Sequence, residues 1–111
     1  MKGIEIHKKA RLIIRGFSKQ VRAELGSALI KAQLGMSLDL PLSRPMSEVL
    51  PGAYELRFTD RSGIQRVLYY SKAPRAFLVF HAFTKKTQKT PQSEIILGRK
   101  RLLEMLSYEK R

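Results

Sequence analysis

The chain has 111 residues, 43% of them hydrophobic, with 22 Lys and Arg against 9 Asp and Glu, a net charge of +13 and no cysteine. That length suits one compact domain over residues 1–111 and is short for two, and the lack of cysteine excludes disulfides and Cys-ligated zinc. A charge this large repels itself within a lone monomer and attracts polyanions or an acidic protein partner.

The charge is spread along the chain. Residues 1–35 carry eight basic and two acidic side chains, and residues 84–111 carry eight and three. A folded domain with a basic surface fits this better than a neutral globule with a basic tail. Met1 to Arg11 holds no apolar run followed by a small-residue cleavage site, and no stretch has transmembrane length. The expectation is a cytoplasmic protein with no membrane contact.

In chain order, Lys2 to His7 reads as a short strand, with Ile4 and Ile6 alternating with Gly3 and Glu5, and Lys8 to Gly16 as a first short helix. Ser18 is placed to cap a second helix, in which Val21, Leu25, Ala28, Leu29 and Ala32 recur at helical spacing before Gly35 ends it. Residues 36–52, punctuated by Pro41, Pro45, Pro51 and Gly52, read as a long extended connection. The period then changes to two. Tyr54, Leu56 and Phe58 alternate with Glu55 and Arg57, Asp60 to Gly63 is a turn, and Ile64 to Tyr70 returns as a β-branched and aromatic run. A second turn at Lys72 to Arg75 leads to the most hydrophobic strand, Ala76 to Phe83. Thr90 then reads as an N-cap and Pro91 as the first residue of a helix to about Leu106, with Ile95, Leu102, Leu103 and Leu106 as its apolar stripe. The order β-α-α-β-β-β-α predicts the α+β class: a small antiparallel sheet, two N-terminal helices and a C-terminal helix.

The inventory of reactive groups narrows the chemistry. The nine acids are scattered, so the clustered carboxylates of a two-metal nuclease are not evident, and there is no glycine-rich phosphate loop. With only His7 and His81, a histidine-pair metal site has little to work with. No metal or cofactor is expected. Arg, Lys, Tyr and a single His do suit one reaction, attack of an RNA 2′-hydroxyl on the adjacent phosphate, which needs alignment, proton transfer and positive charge at phosphorus.

If the hairpin turns about Arg61-Ser62, then Arg57 and Arg66 face each other. Like charges so placed are unfavourable, and an anion between them would relieve the repulsion. A bulge at Gly63 would instead shift the register and leave each arginine solvated. His81, placed by period two on a face with Phe77, Val79 and Phe83, is either a satisfied half-buried residue or a proton carrier. Lys85, Lys86 and Lys89 lie where a strand passes into a helix N-terminus, a region that favours anions. Tyr69 and Tyr70 point to opposite faces. Tyr70 shares the face of Arg66 and is the candidate for stacking on a base, with Lys89 and Arg61 as further RNA contacts.

Three segments carry a family resemblance: Tyr54-Glu55-Leu56-Arg57, Asp60 through Tyr70, and His81 through Pro91, with Leu42-Ser43-Arg44-Pro45-Met46 in the connector. They resemble the phage-derived HigB-like branch of the RelE/ParE toxin superfamily. The resemblance implies a RelE-like fold and a type II toxin that cuts mRNA, often on the ribosome, and is silenced by a cognate antitoxin, an acidic or helix-turn-helix protein. It places Arg66 at a catalytic arginine on the second hairpin strand and Lys86 near a second basic catalytic position, with His81 and Lys85 as motif residues. Together with Arg57 these five form the expected catalytic set. Two departures stand out: Gln65 replaces an aromatic before that arginine, and no tyrosine stands near Pro91-Gln92. Two other functions share these features, a ParE-like gyrase poison that cleaves nothing, and a plain RNA- or ribosome-binding module.

Overall fold

The computed structural model describes residues 2–36, 38, 42–85 and 89–109. The elements, in chain order, are β1 (Gly3–Ile6), α1 (Lys8–Arg15), α2 (Lys19–Gln33), β2 (Ser43–Pro45), β3 (Ala53–Asp60), β4 (Gly63–Tyr70), β5 (Ala76–Lys85) and α3 (Gln92–Glu109). This is the α+β architecture that the pattern predicts, built on one five-stranded sheet ordered β1-β5-β4-β3-β2. Two features differ from the expected antiparallel sheet. β1 runs parallel to β5, so the sheet is mixed, and the connector supplies a three-residue edge strand, β2, paired antiparallel to β3.

Local chemistry explains most element ends. The Ser18 side chain accepts from the Val21 amide at the start of α2. At the other end, the Gly35 amide donates to the Ala32 carbonyl and the Met36 amide to that of Lys31, with Gly35 at φ +76°. This is the paired closure for which a left-handed glycine is favoured. Gly35→Ala should therefore lower stability by about 1–2 kcal/mol, measurable by urea denaturation. His7 caps α1, its Nδ1 accepting from the Lys9 amide.

The helices cover opposite faces of the sheet. α1, α2 and Phe17 in the turn between them place Ala10, Phe17, Val21, Leu25 and Leu29 against Leu56, Val67, Tyr69 and Val79. α3 and the Met46–Leu50 segment cover Leu68, Leu78, Phe80 and Phe83 with Met46, Val49, Ile95 and Leu102. Gly98 sets how closely α3 lies on the sheet, because a Cβ there would come within 3.3 Å of Phe80 and 3.4 Å of Leu68. The stripe expected for this helix holds at Ile95, Leu102 and, partly buried, Leu106, while Leu103 is 51% exposed.

Two departures move functional side chains. In β5 the register passes from Leu68↔His81 to Tyr69↔Val79, leaving Phe80 as an extra residue. The bulge therefore puts Phe80, His81 and Phe83 on the α3 face, while Phe77 and Val79 stay on the other, which corrects the simple alternation expected for His81. At α3 the first helical carbonyl is that of Pro91, which accepts from Ile95 (3.2 Å), so the helix begins one residue later than expected. The Thr90 hydroxyl does not cap it. It turns into the protein.

A candidate anion site built on a buried carboxylate

The hairpin register pairs Arg57 with Arg66, as symmetry about Arg61-Ser62 predicts. Gly63, at φ +126°, closes the turn without shifting the ladder. The same register sets Arg44 of β2 opposite Glu55 of β3, and Glu55 lies two residues before Arg57 on the same face. Three guanidinium groups from three strands thus surround one carboxylate.

That carboxylate is the anion between the arginines. Glu55 and Arg66 are both 0% exposed. The Arg57 Nε donates to Glu55 Oε1 at 2.7 Å, and the Arg44 Nε lies 3.3 Å from the same oxygen. The Thr90 hydroxyl donates to Glu55 Oε2 (2.5 Å) while accepting from Arg66 Nη1 (3.0 Å), and Arg66 and Glu55 approach to 3.9 Å. Burial pulls Arg66 below its usual pKa, Glu55 opposes this, and Arg57 and Arg44 add to the lowering. A guanidinium stays charged through such shifts, so Glu55 lies among three cations.

The cluster adjoins an open cavity of about 770 Å³ whose wall includes Arg44, Glu48, Lys89, Thr90, Gln92 and Ile95. Arg44 and Arg57 keep 35% and 20% of their side chains exposed. Arg99 of α3 donates to the Val49 and Glu48 carbonyls, which fixes the Glu48 segment beside the start of α3. The cavity therefore joins Arg44, Lys89 and the first turn of a helix, an arrangement that attracts phosphate.

The expected site residues separate into groups. Arg66 and His81 are both buried and both lie against Phe83, with the guanidinium 5.9 Å and the imidazole 5.3 Å from its ring. Lys85 ends β5 opposite Ile64, half-buried. Lys89 reaches the cavity. Tyr70 is on the Arg66 face, packed on the second core, but at the far end of β4, roughly 13 Å along the strand. Arg61 is exposed at the hairpin tip. Lys86 lies outside the described residues. Gln65, the departure from the expected aromatic, is buried, donating to Asp60 Oδ1 (2.8 Å) and accepting from the Thr84 hydroxyl.

His81 is 2% exposed and engaged at both nitrogens. Arg101 donates to Nδ1 (2.8 Å), so the proton sits on Nε2, which donates to Glu94 Oε1 (2.8 Å). This corrects the picture of a histidine available to substrate. It is a buried strut holding α3 to β5. Burial lowers its pKa, the bond to Glu94 opposes the shift and Arg101 reinforces it; His7 is lowered too, mainly by burial.

The sign of the pH effect follows. Below the ordinary value of 6.5 the unfolded chain binds protons at these positions that the folded chain does not. Stability should then fall as pH drops from 6.5 toward the lowered folded values, by at most about 1.4 kcal/mol per pH unit for each histidine. Urea denaturation between pH 5 and 8 should show a shallower slope in His81→Gln and in His7→Gln than in the parent. Slopes unchanged by either substitution would contradict it.

Sequence reasoning missed Arg44, Glu55, Thr90, Glu94 and Arg101. The available signal was Glu55 two residues from Arg57 on a strand, which puts both on one face.

Comparison with family models matches residues 13–103 to the family described as phage derived protein Gp49-like (DUF891). The chain belongs to this family. Gp49-like proteins are RelE-like and toxin-related, in agreement with the α+β fold of this member. No curated protein and no solved structure matches the chain. Among the described residues, no three His, Cys, Asp or Glu side chains gather as a metal site, and no helix is long and apolar enough to cross a membrane.

Proposed function

We propose that this Gp49-like chain is the toxin of a type II toxin–antitoxin pair, of the HigB-like branch. In this reading it acts in the cytoplasm as a metal-independent endoribonuclease on mRNA, bound to ribosomes and silenced by a cognate antitoxin. The observation that carries the reading is Arg44 and Lys89 on the wall of a cavity beside the start of α3, with Arg57 bound to the same buried carboxylate as Arg44. The 2′-hydroxyl attacks phosphorus, the P–O5′ bond breaks, and the products are a 2′,3′-cyclic phosphate and a 5′-hydroxyl. Arg44, Arg57 and Lys89 hold the phosphate and offset its growing negative charge. Arg66 acts from behind, through Glu55 and Thr90. With His81 committed to Arg101 and Glu94, proton transfer falls to the cavity side, where Glu48 is the carboxylate on the wall.

The complete burial of Arg66 favours a second reading, RNA or ribosome binding without cleavage. One assay separates the two. Labelled mRNA is incubated with the purified chain in a translating extract, and the fragment ends are determined. Cyclic phosphate and 5′-hydroxyl ends are expected. Intact mRNA with salt-sensitive binding would support the second reading, and 5′-phosphate ends would overturn the metal-free mechanism.

A further inference from the structure

We infer that the open edge of β1 is a docking surface for an acidic, extended segment of another protein, which adds to the five-stranded sheet as a further strand. This surface is independent of the proposed cleavage. The phosphate cavity takes Arg44 from β2, at the opposite edge of the sheet.

In the parallel pairing of β1 with β5, the Gly3 amide donates to the Arg75 carbonyl and the His7 amide to that of Val79. Bonding toward β5 therefore falls on Gly3, Glu5 and His7, and the amides and carbonyls of Ile4 and Ile6 face the open side. No described residue bonds to these outward groups, whereas the neighbouring Lys2 carbonyl accepts from Gln33 Nε2 (2.8 Å). The other edge is blunted: β2 has three residues and ends in Pro45, which has no N–H.

A slot runs beside the β1 edge. A cavity of about 370 Å³ is lined by Ile4, Glu5 and Ile6 in succession, with Arg11 of α1 on one wall and Met105 and Tyr108 of α3 on the other. Successive strand residues point to opposite faces, so a cavity touching all three opens on the edge of the strand. It lies where a further strand would run, between helices that cover the two faces.

Charge selects the occupant. Lys8, Arg11 and Arg15, at spacings of three and four, share the side of α1 that reaches the cavity. All three are exposed, none forms an ion pair among the described residues, and α1 carries no acid. Glu5 is the acid on the slot. A strand that alternates acidic and apolar residues turns its acids toward Arg11 and its apolar side chains toward Met105. A second copy of this chain fits poorly, because it brings the same charge of +13. The symmetric pairing that uses both isoleucines also sets Glu5 opposite its own copy. RNA offers no row of N–H and C=O groups to match the edge.

The test titrates the full chain with a short synthetic peptide alternating glutamate and valine, followed by amide resonances and hydrogen exchange. The Ile4 and Ile6 amides should shift and become protected, with those of Gly3 and His7 changing little. An analogue N-methylated throughout keeps the charge and loses the donors, and it should bind about tenfold more weakly. Arg11→Glu should weaken the parent peptide by a similar factor, and lysine in place of each glutamate should remove the shifts. Unmoved Ile4 and Ile6 amides in excess glutamate peptide, or equal binding of the N-methylated analogue, would reject the assignment. Shifts of these amides that follow chain concentration or added poly(U) RNA, and not the peptide, would give the edge to a second copy or to RNA and reject it too. If Arg11→Glu does not fold, the peptide series on the wild-type chain decides.

Discussion

Glu55→Ala is expected to lower folding stability by about 3–5 kcal/mol, the usual cost of removing one partner from a buried ion pair. A typical domain is stable by only about 5–15 kcal/mol, so the variant should stand near the edge of folding at neutral pH. The reason is asymmetry. Glu55 is the anion that Arg44, Arg57 and Arg66 have in common, and Arg66 is 0% exposed, with no water to take the carboxylate's place. Arg66→Met should cost less, about 1–3 kcal/mol. It removes one of three mutually repelling cations, keeps an unbranched side chain in the space, and leaves Glu55 bonded to Arg57 at 2.7 Å. Urea denaturation of the two variants measures the order. A larger loss in Arg66→Met would show that the carboxylate is not the centre of the cluster.

The second large effect belongs to Arg57. Under the proposed function, Arg57→Ala should reduce the cleavage rate by about 10²–10³-fold, the scale seen when one donor to a developing negative charge is removed. Folding should survive, because Glu55 retains Arg44 and the Thr90 bridge to Arg66, and because Arg57 is itself partly solvated. Arg61→Ala is the natural comparison. It carries the same charge on the same hairpin, but stands exposed at the tip, where losing it should weaken RNA binding only slightly. Single-turnover cleavage of both variants, normalised to folded protein, distinguishes an aimed arginine from general attraction. Equal losses in the two would remove Arg57 from the site.

Residues that local rules govern were legible in advance. Ser18 and Gly35 bound α2 because a cap and a left-handed glycine are decided within a few residues. The Arg57–Arg66 pairing was legible because a two-residue turn sets hairpin register. What escaped depended on partners distant in the chain. β2 is three residues ending in Pro45, too short to show a period. The pairing of β1 with β5 joins segments more than seventy residues apart. The bulge at Phe80 moved His81 to the α3 face, where Glu94 and Arg101 engage both nitrogens. Thr90 had the form of a helix cap, yet the buried carboxylate drew its hydroxyl inward.

By itself, then, the sequence determined the element order, the hairpin that brings two arginines together, and a surplus of positive charge suited to a polyanion. Local sterics and composition are sufficient for these. Only the tertiary structure decided which charges are buried and which face a cavity. The cost of burying an ion depends on the neighbours that replace its water, and for Glu55 and Arg66 those neighbours come from β2, β3, β4 and the entry to α3.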